Sequence, residues 1–358
     1  MGMETVIEHW DGRVCCSRYD AETGAFLTVA IHSRQLGPAT GGTRAMAYPS
    51  RELAVGDATR LASSMTHKMA VAGLPMGGGK SVIALPRDRR EIGEADWHRI
   101  LVLHAETLAT LNGSYWTGPD VGTSSADMDV LHGLSGGYAF GRSEAAGGPG
   151  SSAPETAHGV YVGIRESARE VGISDLAGRR VLVQGLGAVG MDVARRVAAD
   201  GARLIASDID PLRCEVARTE LDAEIVAVDD VVSTACDVFV PCATGGVIDR
   251  RVASTLETRV VAGSANNVLA DDAAADVLAS RGIVLAPDFV INSGGGIHLV
   301  GREVLGWTAD EVSLHVERIG RTLAEVFERA RTERTSTDLA ARRLADDVLA
   351  RSTQSVAS

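Results

Sequence analysis

The stretch Val181-Leu182-Val183-Gln184-Gly185-Leu186-Gly187-Ala188-Val189-Gly190 decides the fold of this chain. Its apolar start, closed by glycine, reads as a short buried strand, and the spacing over residues 191–199 reads as a helix. The glycines between them form Gly-x-Gly-x-x-Gly. Gly185 permits the tight turn, Gly187 lets a pyrophosphate reach the backbone, and Gly190 allows close helix packing. The helix N-terminus adds partial positive charge beside Leu186, Ala188 and Val189. The next strand, Arg203-Leu204-Ile205-Ala206-Ser207-Asp208, ends in an acid at the distance a dinucleotide fold requires. A carboxylate at Asp208 accepts from a ribose 2′-hydroxyl and repels a 2′-phosphate, so the expected cofactor is NAD rather than NADP.

Outward from this motif, further strands fit residues 237–240, 259–262 and 283–286, the cadence of a doubly wound parallel sheet. Upstream, residues 141–154 turn to Gly, Ser, Ala and Pro and mark a domain boundary. The first half alternates strand and helix patterns: strands over 26–31 and 81–85, helices over 52–65 and 100–111, then a glycine-punctuated segment over 113–122. From Thr308 onward a charged, Ala- and Leu-rich stretch has helical spacing. The expected class is α/β with two domains: an N-terminal catalytic domain over 1–148, a Rossmann domain over 149–325, and a C-terminal helical segment over 326–358.

Length and charge narrow the function. A chain of 358 residues exceeds what one core usually supports. Its 47 acidic and 35 basic side chains give a net charge of −12, which repels phosphate backbones and speaks against nucleic acid. No apolar run approaches the roughly 20 residues of a membrane span. The N-terminal residues lack the pattern of a secretory signal. Five scattered cysteines, Cys15, Cys16, Cys214, Cys236 and Cys242, lack metal-ligand spacing and read as reduced thiols in a cytoplasmic protein, with no metal expected. Asn112-Gly113-Ser114 reads as an Asn-Gly turn.

The chemistry gathers in the first half. Pro75-Met76-Gly77-Gly78-Gly79-Lys80-Ser81 places one ammonium beside three glycines, in what reads as a loop that a substrate can approach closely. A triphosphate-binding loop would need glycine where Leu74 stands, which speaks against that alternative and leaves a phosphotransferase as the minor reading. The flanking Met76 and Val82-Ile83 imply partial burial of Lys80, which lowers its pKa toward base chemistry. Lys68 fits a functional role and equally the polar edge of an amphipathic helix. Asp120 after Pro119 fits a turn as well as a site. Asn266, just past a predicted strand's carboxyl end, lies where open sheets bind ligands, though an Asn turn is the plain alternative. His67, His104 and His298 read as packing or surface residues. Asp127 and Asp129 read as part of a helix N-terminus after Ser124.

Taken together, Gly37-Pro38-Ala39-Thr40-Gly41-Gly42-Thr43-Arg44, Lys68-Met69-Ala70, the Pro75–Ser81 segment, Gly118-Pro119-Asp120-Val121-Gly122-Thr123, the dinucleotide motif and Asn292-Ser293-Gly294-Gly295 resemble the glutamate/leucine/valine/phenylalanine dehydrogenase family. That resemblance covers nearly the whole chain. It implies reversible NAD-linked deamination of an L-amino acid to a 2-oxo acid and ammonia, an active site in an interdomain cleft, a C-terminal helix returning to the first domain, and a homo-oligomer. By the same resemblance Lys68 binds the substrate carboxylate, Lys80 polarises the carbonyl or activates water, and Asp120 moves protons at the amino nitrogen. Gly41, Gly42, Met65, Gly118, Pro119 and Gly296 would line the substrate site, Asn266 would orient carboxylate or nicotinamide, and Cys242-Ala243 would line the cofactor.

Substrate choice follows from size and charge. Glutamate-specific members look to have lysine where this chain has Thr40, and an uncompensated side-chain carboxylate is costly to desolvate. Branched-chain members tend to carry larger residues at Gly118 and Gly296, so an enlarged pocket for phenylalanine is expected, with leucine or valine as the alternative. A non-catalytic NAD-binding sensor is the competing reading from another class.

Overall fold

In the computed structural model, which describes residue 8 and residues 10–356, the glycine-lysine segment is a central strand and not a loop. Five strands, β1 (Val14–Tyr19), β2 (Phe26–Ser33), β3 (Ala39–Ala47), β4 (Gly77–Leu85) and β5 (Tyr115–Pro119), form a mixed sheet in the order β1-β2-β4-β3-β5. β2 runs antiparallel to both β1 and β4, while β3 runs parallel to β4 and β5. Every residue of β4 is buried.

Small residues explain how glycines come to lie in a strand. The helix Arg51–Val71 is capped by the Ser50 side chain, which accepts from the Leu53 N–H. It presents Ala54, Ala58 and Ala62 at helical spacing to Ala30, Val82 and Ala84 of the sheet. Alanines let the helix backbone approach so closely that a Cβ at Gly78 would overlap the Thr66 backbone nitrogen. On the neighbouring residue a Cβ at Gly79 would sit 2.7 Å from the Tyr115 ring. Lys80 is therefore the first side chain that this strand has room for.

A second core lies around the helix Glu94–Thr110, with Trp97, Ile100, Leu101 and Leu108 packed on Leu27, Ile31, Ile83 and Met128. Within it His104 is fully buried, its Nε2 lying 3.1 Å from Thr43 Oγ1 and 3.2 Å from Ser81 Oγ. Thr43 Oγ1 also lies 2.6 Å from both Ser81 Oγ and Thr117 Oγ1, so one hydroxyl cluster ties β3, β4 and β5 together. Burial alone pushes the His104 imidazole down from 6.5 to about 4. The unfolded chain takes up that proton first, so the stabilisation is complete above 6.5, drains as pH falls, and is gone below about 4. The loss is on the order of 3 kcal/mol. Thermal melts should therefore fall more steeply between pH 7 and pH 4.5 in wild type than in His104→Gln; equal slopes would contradict this.

The other sheet is parallel throughout. Its strands are β6 (Arg180–Gln184), β7 (Arg203–Ser207), β8 (Glu224–Ile225), β9 (Val238–Pro241), β10 (Val260–Val261) and β11 (Val284–Leu285), in the order β11-β10-β9-β6-β7-β8. This is the doubly wound order, with its switch point between β6 and β9. Leu182, Ile205, Phe239, Val261 and Leu285 line one face of it. On helix Ala153–Glu170, a Cβ at Gly159 would sit 2.7 Å from Ile319 Cδ1, so the long helix Ala309–Glu333 packs there at close range. That long helix starts at a Thr308/Glu311 capping box.

The chain divides into two compact units. One holds the described residues up to Gly150, with Leu299–Gly306 and those from Ala345 onward; the other holds Ser151–His298 and Trp307–Leu344. The helix Ala309–Glu333 runs unbroken through the 325/326 boundary expected from sequence, and the break comes at Arg334, whose φ of +53° is left-handed. Within the first unit, His67 Nε2 lies 3.3 Å from Asp346 Oδ1 and the Gln35 side chain donates to the Leu349 carbonyl. Among the described residues no helix is long and apolar enough to cross a membrane.

Candidate active site

Lys80, only 6% exposed, points its Nζ at Asp120 Oδ2. Asp120 follows the carboxyl end of β5, where its other oxygen accepts from the Val121 N–H at 2.7 Å. Its own N–H donates to Thr123 Oγ1, and that hydroxyl lies 2.8 Å from the Thr43 carbonyl, so the turn is fastened to β3. Gly42 sits between the two charges: a Cβ there would lie 2.7 Å from Asp120 Cβ and 3.3 Å from Lys80 Nζ. Burial pushes the Lys80 ammonium below its ordinary range, against the pull of Asp120. Burial also works to raise the Asp120 carboxyl, but the Lys80 and Arg44 cations outweigh it and hold the acid low. Such a pair can exchange a proton with a bound group once one partner is drawn away.

Sequence reasoning missed the partners behind this pair. Arg44 on β3 lies 3.4 Å from Asp120 through Nε and 3.0 Å from Asp57 through its terminal nitrogen. Asp57 also accepts from the Tyr48 hydroxyl at 2.7 Å and from Arg60 at 2.6 Å. The available signal was Arg44 standing two positions after Gly42, which puts both on one strand face.

The remaining residues of this unit fall into place unevenly. A Cβ at Gly41 would overlap the Gly79 carbonyl oxygen and touch Met65 Cγ at 3.4 Å. Lys68 lies one helical turn beyond Met65, half-buried, in the last turn of the same helix. Thr40 donates its hydroxyl to the Trp116 carbonyl at 3.2 Å, so it offers no charge for a second carboxylate. Gly118 does not enlarge a pocket as expected. The Phe140 ring fills that space, 2.5 Å from where a Cβ would stand, and the Gly141 position beyond it abuts Pro119. Asp127 closes a capping box with Ser124, and Asn112 and Gly113 both take positive φ, as an Asn-Gly turn requires.

In the other unit the dinucleotide motif sits at the switch point between β6 and β9. Gly185 has φ +91°, and a Cβ there would be 2.9 Å from the Ala243 nitrogen. A Cβ at Gly190 would overlap the Gly185 carbonyl oxygen and lie 3.1 Å from Cys242 Cβ. Gly187 caps the helix Ala188–Ala199 and faces open space, its nearest neighbour being Arg213 at 4.0 Å. Asp208, with its side chain 5% exposed, accepts from the Leu186 N–H at 2.6 Å and the Asp210 N–H at 2.8 Å. The bare amides at a helix start, the open side of Gly187 and a buried acid at the next strand's end fit a dinucleotide. Asn266, exposed beyond β10, accepts from Asn292 at 2.8 Å, a partner that sequence reasoning left unassigned. Gly296 lies in the short helix Gly294–Leu299. The five cysteines are free thiols.

Residues 22–134 match the model of the Glu/Leu/Phe/Val dehydrogenase dimerisation domain, and residues 147–211 and 213–355 match that of the Glutamate/Leucine/Phenylalanine/Valine dehydrogenase domain. The chain belongs to this dehydrogenase family. It is an amino-acid dehydrogenase with NAD as cofactor. Leucine dehydrogenase of Bacillus cereus is 38% identical over 96% of this chain and 92% of that protein. Valine dehydrogenase of Streptomyces coelicolor is 38% identical over 92% of this chain and 90% of its own. The crystal structure of L-tryptophan dehydrogenase from Nostoc punctiforme matches with a TM-score of 0.83 and 32% identity, covering 99% of this chain and 100% of that one.

Proposed function

We propose that this dehydrogenase deaminates a branched apolar L-amino acid, leucine or valine ahead of phenylalanine, to its 2-oxo acid and ammonia. The observation that carries the chemistry is the buried Lys80–Asp120 pair against the bare backbone of Gly42. Asp120 takes a proton from the substrate ammonium and returns it to the amino nitrogen as ammonia leaves, and Lys80, relieved of its partner, stabilises the oxygen of the water that adds to the imine and gives up its proton to solvent. Lys68 binds the α-carboxylate, with Gly41, Gly42 and Met65 lining the same end and Gly118 and Pro119 behind Asp120. Bound NAD would supply the hydride acceptor. Gly185, Leu186, Gly187, Ala188, Val189 and Gly190 would hold its pyrophosphate, Asp208 its ribose, and Cys242, Ala243 and Asn266 the nicotinamide side, where Gly296 would add to the substrate wall.

The preference for a branched side chain is supported by two findings. Phe140 occupies the room that an aromatic substrate was expected to use at Gly118, and the full-length relatives include leucine and valine dehydrogenases. The dimerisation domain matched over 22–134 supports a homo-oligomer, as does the edge strand β1, which leaves Val14 and Tyr19 exposed. The free thiols suit a reducing, cytoplasmic compartment.

Initial rates of NADH formation on leucine, valine, phenylalanine, tryptophan and glutamate test the preference. Leucine or valine should exceed phenylalanine about 10-fold or more in kcat/KM. A faster rate on phenylalanine or tryptophan would overturn the branched-chain preference, and no NADH from any of them, with NAD still bound, would favour the sensor reading.

A further inference from the structure

Two cations aim at one oxygen. Lys80 Nζ and Arg44 Nε both face Asp120 Oδ2, while Oδ1 takes the Val121 amide. Lys80 holds Asp120 directly, whereas Arg44 Nε is buried without a hydrogen-bond partner and stands 3.4 Å away. A buried, unpaired guanidinium N–H is costly and needs a use. The rest of Arg44 is not free to find another one: its terminal nitrogen is fixed by Asp57, which is fixed in turn by Tyr48 and Arg60.

We propose that Arg44 is the positioning residue for Asp120, the cation that keeps its carboxylate charged and in place when Lys80 leaves it for the substrate. The proposal rests on the roles given above to Lys80 and Asp120. A carboxylate this buried, stripped of Lys80 and with no second cation beside it, would take up a proton and lose its capacity as a base. With Arg44 anchored beside it, the same oxygen needs to move by less than 1 Å to gain a charge-assisted hydrogen bond. The groups facing Asp120 are Lys80 from β4 and Arg44 from β3, with Asp57 of the helix and Tyr48 reaching it through Arg44, while the Tyr115 phenol of β5 feels the Asp120 charge from its place on the Gly41 carbonyl. Burial acts against the Arg44 charge, but Asp120 and Asp57 outweigh it, so the guanidinium stays charged throughout.

The test is a carbon-NMR titration of protein labelled at the aspartate carboxyls, with the Asp120 signal identified by its loss in Asp120→Asn. Wild type, Lys80→Met, Arg44→Gln and the Lys80→Met/Arg44→Gln double variant are compared without substrate. In Lys80→Met the Asp120 midpoint should stay at or below that of an ordinary aspartate, and in the double variant it should rise from there by about one pH unit or more. A rise in Lys80→Met as large as in the double variant would overturn the proposal. Should Arg44→Gln unfold by leaving Asp57 unpaired, Arg44→Gln/Asp57→Asn makes the same comparison. In the active enzyme the acid limb of kcat/KM should move to higher pH in Arg44→Gln and hold in Arg44→Lys; an unmoved limb would also overturn it. Inactivity on every amino acid would defeat the proposed reaction and leave the titration to decide the role of Arg44.

Discussion

Asp120→Asn is expected to lower NADH formation from the preferred amino acid by about 10²- to 10⁴-fold, with NADH affinity unchanged. The amide keeps the shape of the side chain and can still accept from Val121, so the turn after β5 survives. It cannot take a proton from the substrate, and it presents no charge to Lys80. Removing the acid also frees a buried ammonium of its counter-charge, which pushes Lys80 further toward its neutral form. Lys80→Ala should fail to a similar degree, and the double variant should be no worse than the poorer single, because groups that act as a unit lose their function once. Single-turnover rates with saturating cofactor measure this. Additive losses would show that the two side chains act independently of each other.

Gly190→Ala is expected to weaken NADH binding about 10- to 100-fold and to lower the melting temperature. Its Cβ would press on the Gly185 carbonyl oxygen, so the turn must open before the helix Ala188–Ala199 can pack, and the amides facing the cofactor lose their alignment. Gly187→Ala provides the contrast. Its Cβ would enter open space, so the fold should melt as wild type while the methyl group stands where the pyrophosphate approaches the backbone. Fluorescence titration with NADH, run beside thermal melts, separates the two. A Gly187→Ala protein with wild-type affinity would mean that the dinucleotide does not cross that face.

The dinucleotide half was legible because its signals are local. Leu182, Val183, Ile205, Phe239 and Val240 lie in short apolar runs whose length and β-branched content mark buried strands, and glycines follow several of them. The two-residue strand β8 carries no such run and was missed. In the first half, β3 and the start of β4 were hidden by their own glycines, which argue against a strand on propensity. They belong there because neighbours leave no room for a side chain, the helix Arg51–Val71 at Gly78, the Tyr115 ring at Gly79 and the Gly79 carbonyl at Gly41, all tertiary facts. The site shows the same divide. Lys80 and Asp120 stand out by residue type and motif, whereas the Arg44–Asp57 anchor depends on how β3 meets a helix packed on the sheet. Gly118 misled for the related reason that the space it opens is claimed by Phe140 from the next segment of chain.

The most direct measurement follows the hydrogen itself: L-leucine deuterated at the α-carbon is incubated with enzyme and NAD, and the nicotinamide and ammonia are analysed by mass spectrometry and enzymatic assay. Deuterium on the reduced nicotinamide, matched by ammonia in equal amount and lost in Asp120→Asn, is the expected result. Bound NAD with no deuterium transferred from leucine or from similarly labelled valine would contradict the proposed reaction.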